Sequence, residues 1–424
     1  MTATAGPNPG EKRVSGEIPQ TDAPKSDEPL RAGTLAEICR AFLKLGLTSF
    51  GGPVAHLGYF RDEFVHRRQW LSDAAYADLV ALCQFLPGPS STQLAFILGL
   101  RQAKLPGGLV ASLCFTLPSA VLMILFGIGI SSLGDWRHAG WLHGLKLAAV
   151  VVVAQAVWGM GRALCPDRTR LAIALASAAA LLVLTHPVAQ ISVVAAGSLL
   201  GWWHYRTQAN AGPQPAAIGW RNHLPAAISL GIFFLMLLLL PILAAVTGSK
   251  GIEVFGGFYR VGSLVFGGGH VVLPLLRSEV VPKGWVGDDA FLAGYGVAQA
   301  LPGALFTFGA YLGTVMHPGP GAWLNGLWCL VAITLPGLLL VGGVLPFWNQ
   351  LRAKTWAQAA LRGANAAVVG MLLAAFYNPV WREGIRNAPD VAAVIVLFGL
   401  AHCCNTPPWL TVLLAAGFGA CRLG

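Results

Sequence analysis

Apolar runs separated by short polar connections fill the chain from residue 34 to its end. A membrane-crossing helix takes about 20 apolar residues at roughly 1.5 Å per residue. Residues 108–130, with Pro118 inside, and 141–161, carrying Lys146, meet that length. So do 224–246, the most hydrophobic run, and 357–376. Residues 171–205 hold no acid, Lys or Arg, and His186-Pro187 divides them into two short halves that suit thin or tilted helices. Residues 290–351 are equally free of charge, enough for two crossings, and a last apolar stretch starts at Val391. The pattern predicts an all-α polytopic membrane protein with about 10–12 membrane segments.

Four other runs are interrupted. Residues 42–57 break at Gly51-Gly52-Pro53, 76–100 at Pro87-Gly88-Pro89, 258–276 at Gly267-Gly268-Gly269, and 291–314 at Pro302-Gly303. Irregular backbone at membrane depth is tolerated only where it is buried in protein or lines a cavity.

The interruptions come in two pairs. Phe42-x-x-x-Gly46 recurs as Phe258-x-x-x-Gly262 and Phe50-Gly51-Gly52 as Phe266-Gly267-Gly268, both at an offset of 216. Gln84-Phe85-Leu86-Pro87-Gly88 recurs as Gln299-Ala300-Leu301-Pro302-Gly303 at 215, and Thr116-Leu117-Pro118 recurs as Thr334-Leu335-Pro336. Scarce charges keep the same register: Lys44 with Arg260, Arg61 with Arg277, Glu63 with Glu279, Lys146 with Arg362, and Asp73 with Asp288. The chain therefore reads as an internal duplication. Its expected parts are a disordered hydrophilic tail (1–33), a first repeat (34–210), a connecting segment with one transmembrane helix (211–249) and a second repeat (250–424). The two repeats are expected to be inverted relative to each other.

Composition removes other classes. The chain is 55% hydrophobic and 11% charged, against about 25% charged in soluble domains. Its net charge of +10 is scattered between apolar runs, which suits cytoplasmic loops and gives no face for nucleic acid. The tail has no apolar core and is not a signal peptide. Eight cysteines show no metal spacing, with Cys403-Cys404 beside His402 a weak hint only. No cofactor or metal is expected.

Interrupted helices at matching places in duplicated halves point to a transporter's substrate site. A helix that restarts at mid-membrane exposes unpaired N–H groups and a partial positive charge, which favour an anion. Ser90, Ser91 and Thr92 follow Pro87-Gly88-Pro89 and add three hydroxyls. The second half has Ala304-Leu305-Phe306-Thr307 after its break, so it is expected to contribute an apolar wall. The competing account makes these breaks packing kinks and has the hydroxyls bond their own helix.

The motif Phe42-x-x-x-Gly46-x-x-x-Phe50-Gly51-Gly52-Pro53, followed by Leu86-Pro87-Gly88-Pro89, resembles the N-terminal domain of the chromate ion transporters. Phe266-Gly267-Gly268-Gly269-His270 with Leu301-Pro302-Gly303 resembles their C-terminal domain. The resemblance spans nearly the whole membrane region and is to the long, two-domain bacterial type. It implies an oxyanion porter of the bacterial inner membrane, most simply one exporting chromate and giving chromate resistance, with sulfate-like dianions as related substrates. Its partners would be that oxyanion and the lipid bilayer, with a homodimer allowed.

The expected substrate site is Gly51, Gly52, Pro87, Gly88, Ser90, Ser91 and Thr92 from the first half, and Gly267, Gly268, Gly269, Pro302 and Gly303 from the second. Charged candidates are Lys44, Arg61, Glu63, Lys146, Arg260, Arg277, Glu279 and Arg362. Arg61 and Arg277 would draw the anion into a vestibule, with Glu63 and Glu279 as their partners. The alternative is a solvated loop with Trp70 at the interface. Lys146 and Arg362 lie in or beside apolar runs, where a charge is a functional candidate unless it snorkels to the headgroups. His56 and His270 follow the glycine breaks and could carry a proton. Trp202, Trp203 and Tyr205 read as interface anchors. The rivals are an anion channel, which would share the broken helices, and an enzyme acting on lipid phosphates. The latter needs clustered acids or an activated nucleophile, and the apolar runs are almost without acids.

Overall fold

The computed structural model describes residues 33–132, 140–184, 187–206, 223–266, 269–352, 354–404 and 406–423. Gly267 and Gly268, the tail over 1–32, and His186 lie outside these residues. Among the described residues every regular element is helical.

The chain runs through α1 (Leu35–Thr48), α2 (Gly52–Arg61), α3 (Asp73–Phe85), α4 (Ser90–Ser132), α5 (Gly140–Leu164), α6 (Arg168–Val183) and α7 (Pro187–Tyr205). It continues through α8 (Leu224–Thr247), α9 (Lys250–Leu264), α10 (Val272–Val280), α11 (Asp288–Ala300), α12 (Phe308–Met316) and α13 (Ala322–Val344). The last helices are α14 (Trp348–Arg352), α15 (Thr355–Ala375), α16 (Arg382–Gly384), α17 (Ala388–Cys403) and α18 (Pro408–Leu423). Among the described residues five stretches are long and apolar enough to cross a bilayer: Ser90–Ser132, Gly140–Leu164, Leu224–Thr247, Ala322–Phe347 and Thr355–Gly384. The protein is thus an all-α polytopic membrane protein. Much of the remainder is shorter helices that meet at breaks.

Local chemistry explains where helices start and stop. Thr34 and Glu37 form a capping box at the head of α1, satisfying two N–H groups that no helical turn can reach. Ser72 caps α3, Asp167 caps α6 and Asn387 caps α17 through side-chain oxygens. α3 stops at Phe85, before Pro87, and α4 begins at Ser90, because proline disfavours a helical residue before it and cannot donate to the previous turn. α4 bends sharply at Ala103 and Lys104. Its first limb folds back on its second so closely that a Cβ on Gly99 would lie 2.2 Å from the Gly107 carbonyl oxygen.

Elements at matching positions of the two halves make matching contacts. α1 packs on α4 and α9 packs on α13. At the crossings, a Cβ on Gly46 would lie 2.6 Å from the Phe115 carbonyl oxygen, and one on Gly262 would lie 2.1 Å from that of Ile333. Each of these glycines therefore admits a backbone that any side chain would push away. The later helices cross over between halves: α5 packs along α17 and α18, while α15 packs along α6 and α7. α8 stands apart. Of its residues only Ala226 and Phe233 are buried, as expected of a helix whose other faces meet lipid.

Candidate functional site

Three of the breaks converge. Between α1 and α2, Ser49, Phe50 and Gly51 are non-helical; between α3 and α4 lie Leu86–Pro89; between α11 and the turn Leu305–Thr307 lie Leu301–Ala304. A small cavity at their meeting point is lined by Pro53, His56, Pro89, Ser90, Ser91 and Thr92 from the first half and by Ala304, Leu305 and Phe306 from the second. Its volume, about 10 Å³, holds roughly one water.

The breaks are tied together by their backbones. Gly88 donates its N–H to the Val265 carbonyl at 2.8 Å, and Gly303 donates to the Ser49 carbonyl at 2.9 Å. Donors and acceptors are matched positions of the two halves, so each half caps a break of the other. Both glycines have positive φ, 123° and 91°, a region that side chains avoid. A Cβ on Gly88 would lie 2.9 Å from Gly337 Cα, and one on Gly303 would lie 2.9 Å from Ser119 Oγ. Gln93 adds a side-chain tie, donating from Nε2 to the Pro87 and Gly337 carbonyls at 2.8 and 3.1 Å.

His56 is 1% exposed and bridges two breaks. Its Nε2 is 3.2 Å from the Ser49 carbonyl oxygen and its Nδ1 is 3.0 Å from Ser91 Oγ. A carbonyl can only accept, so Nε2 carries the hydrogen. In the neutral ring Nδ1 then accepts the Ser91 hydroxyl hydrogen. Thr92 Oγ1 and Ser49 Oγ are buried without a partner among the described residues, a state that costs about 1–3 kcal/mol for each group. The amides of Ser90, Ser91 and Thr92, in the first turn of α4, have no intrahelical acceptor. Among the described residues no carboxylate lines the cavity. An anion there would meet hydroxyls, amides and the positive ends of α2 and α4.

His270 lies near Gly52, at the head of α2. Its Nδ1 is 3.2 Å from the Tyr295 hydroxyl, and its Nε2 would be 3.8 Å from a Cβ on Gly52. Gly269 opens the short turn Gly269–Val271. Pro302 and Gly303 precede the apolar wall of the cavity without lining it.

The charged candidates lie elsewhere, and none is among the residues that line the cavity. Arg61 bonds Asp73, not Glu63, at 2.8 Å, and Arg277 bonds Asp288, not Glu279, at 2.8 Å. Residues two apart on a helical stretch point away from each other, so the expected Arg61–Glu63 and Arg277–Glu279 pairs cannot close. Glu63 instead takes Lys44, Arg67 and Arg68, and Glu279 takes Arg260 and Lys283. Lys146 is 2% exposed and bonds Asp289, whose side chain is 43% exposed, so its ammonium ends on a carboxylate rather than free at the surface. Its mate Arg362 lies over the Tyr205 ring, 5.8 Å from the centroid. Tyr205 is buried and donates to Asp167; it is not an interface anchor. Trp70 is also buried, stacked on Phe64 under Arg68.

Some residues with structural roles at the site carry no special signal in the sequence. Ser49 and Val265 act through backbone carbonyls, which any residue supplies. Gln93 and Ser119 are ordinary polar residues in apolar helices. Only the mate of Ser119, Gly337 of the Thr-Leu-Pro-Gly run, hints that this position faces a break.

A family model described as chromate transporter matches residues 36–202 and again 252–420. A chromate transport protein of Pseudomonas aeruginosa is 28% identical over 348 residues, covering 78% of this chain and 77% of the relative. One of Cupriavidus metallidurans is 26% identical over 90% of this chain and 91% of the relative. A probable chromate transport protein of Synechococcus elongatus is 27% identical over 84% of this chain and 87% of its own length. No solved structure matches the chain significantly.

Proposed function

The chain belongs to the chromate transporter family, and on that premise we propose that it exports chromate across the bacterial inner membrane and so confers chromate resistance. The observation that carries this reading is the cavity where three helix breaks meet, with the Thr92 hydroxyl buried at its wall without a partner and no carboxylate among its lining residues. The anion binds there by exchanging its water shell for the first-turn amides of α4 and the hydroxyls of Ser90, Ser91 and Thr92. Two helix N-termini, each equivalent to roughly half a positive charge, offset much of its charge without a fixed cation.

The cavity is too small for a tetrahedral oxyanion in this conformation. Loading therefore separates the first-half breaks from Ala304–Phe306, and the Gly303–Ser49 and Gly88–Val265 bonds are the ties that must give. With the two repeats inverted relative to each other, the same pair of ties serves an inward-facing and an outward-facing opening. Export of a dianion runs with a negative-inside potential, by about 2.3 kcal/mol per charge per 100 mV, so it needs no coupling ion. His56 tunes the site: a proton on Nδ1 turns Ser91 into an acceptor and frees its hydroxyl hydrogen for the anion.

The test is uptake of radiolabelled chromate into inside-out membrane vesicles, with and without Ser90→Ala/Ser91→Ala/Thr92→Ala. Saturable uptake that sulfate competes and the triple change abolishes is the expected result. Uptake retained in the variant would move the site elsewhere. No uptake above empty vesicles, with folded protein present, would remove chromate as the substrate.

A further inference from the structure

We propose that Cys39 and Cys114 form an oxidisable dithiol, a redox latch between α1 and α4. Their sulfur atoms lie 3.3 Å apart, although the two residues are 75 positions apart in the chain and belong to different helices. A disulfide closes this gap to roughly 2 Å, within a helix pair that is already in backbone contact at Gly46. Both thiols are partly exposed, whereas Cys83, Cys165 and Cys329 are buried. At the matching positions of the second half stand Phe255 and Ala332, so the latch belongs to the first half alone.

The reactant class is a two-electron thiol oxidant such as a diazene. One thiol adds across the N=N bond, and the second attacks the bound sulfur. The S–S bond forms as the S–N bond breaks, and a hydrazine leaves with both electrons and both protons. The mechanical consequence follows from what α1 carries. It ends one residue before Ser49, the carbonyl that Gly303 and His56 share. A covalent tie between α1 and α4 fixes that carbonyl relative to Phe115 and Ser119 of α4, which stand beside Gly303, so α1 cannot slide along α4 to release the Gly303 bond. That the restraint stops transport rests on the function proposed above.

The experiment uses the full chain in proteoliposomes, with Cys403, Cys404 and Cys421, all exposed, replaced by Ser to suppress links between molecules. Diamide treatment, non-reducing proteolysis and mass spectrometry are expected to join the peptide of Cys39 to that of Cys114. Dithiothreitol is expected to reverse the link. Oxyanion flux should be lost on oxidation and return on reduction, while Cys39→Ser and Cys114→Ser proteins keep their flux throughout. Absence of the linked peptide overturns the proposal, and so does a linked protein whose flux is unchanged. If the reduced protein shows no flux, the transport reading fails instead. The latch is then decided by the thermal unfolding midpoint: a rise confined to the linked protein supports it, and no rise sinks it.

Discussion

The backbone N–H of Gly303 donates to the carbonyl of Ser49 across 2.9 Å, so a break in one half of the chain is capped by a glycine from the other. The bond holds Gly303 at a φ of 91°, where a Cβ would stand only 3.1 Å from the Gly46 carbonyl oxygen. Gly303→Ala meets both a left-handed backbone, at roughly 1–2 kcal/mol, and two backbone oxygens, of Gly46 and Phe115, at 3.1 and 3.3 Å. Gly248 is a matched control, with φ of 61° and open space around it. We expect Gly303→Ala to lower the thermal midpoint in detergent clearly more than Gly248→Ala, and to abolish chromate uptake. Equal effects would mean that the contact with Ser119 and Gly46 is slack.

Thr92 separates a structural role from a functional one. Its hydroxyl is buried without a partner among the described residues, so Thr92→Val removes an unsatisfied group and keeps the shape of the side chain. Stability should stay level or rise by about 1 kcal/mol. Chromate uptake should nevertheless fall, since the anion loses a donor. A variant that is destabilised, or one that transports normally, would contradict the assignment.

Lys146 and Asp289 are paired but unequally buried, with side chains 2% and 43% exposed. Asp289→Asn leaves a buried ammonium without its counter-ion and should be the more destabilising change. Lys146→Met leaves a carboxylate that water already reaches and should be much milder. Thermal midpoints of the two single variants check the order. The reverse order would show that Lys146 finds another partner.

Acid should unfold the protein through specific carboxylates. Burial alone would raise the pKa of Glu63, but hydrogen bonds from Arg68 and Lys44 outweigh it and hold the group below its ordinary value. Asp167, in the connection between α5 and α6, is likewise opposed by burial yet held down to about 2 by Tyr205 and Arg170. A folded pKa below the unfolded one means that the unfolded chain binds more protons between the two values. The stabilisation from Asp167 is therefore complete above the unfolded value of 3.8 and is lost as pH falls through about 2. The side chain is 37% exposed, so solvent screens much of the effect. Midpoints measured from neutral pH down to about pH 3 should fall less steeply in Glu63→Gln and Tyr205→Phe than in the wild type. Parallel curves would place the acid sensitivity elsewhere.

Helix ends and helix breaks were legible in the sequence because their causes are local. Proline lacks an N–H and restricts the residue before it. The stops at Phe85 and Ala300 fall two residues before Pro87 and Pro302, each followed by a glycine of positive φ, whereas α4 and α13 run on through Pro118 and Pro336. Apolar length and scarcity of charge likewise set the membrane class, since no partner is needed to make a 24-residue uncharged helix such as α8 avoid water. The register of Lys44, Arg61, Glu63 and Asp73 with Arg260, Arg277, Glu279 and Asp288 could also be read directly.

Partnership could not be read from the chain, because it depends on which faces meet. Arg61 and Glu63 are neighbours in sequence, yet helical rotation turns them apart, and Asp73, twelve positions on, receives the arginine. Lys146 found Asp289 across 143 residues because α5 packs on α11. Ser49 and Val265 gained their roles from carbonyl position alone, a property that no residue type encodes. Residue order thus dictated the membrane class, where the chain breaks and which charges recur, all of them consequences of near neighbours; of the roughly 10–12 crossings expected, five stretches among the described residues are long and apolar enough. That three breaks share one small cavity is a product of packing alone, because close helix crossings at Gly46 and Gly262 bring together backbone groups that are distant along the chain.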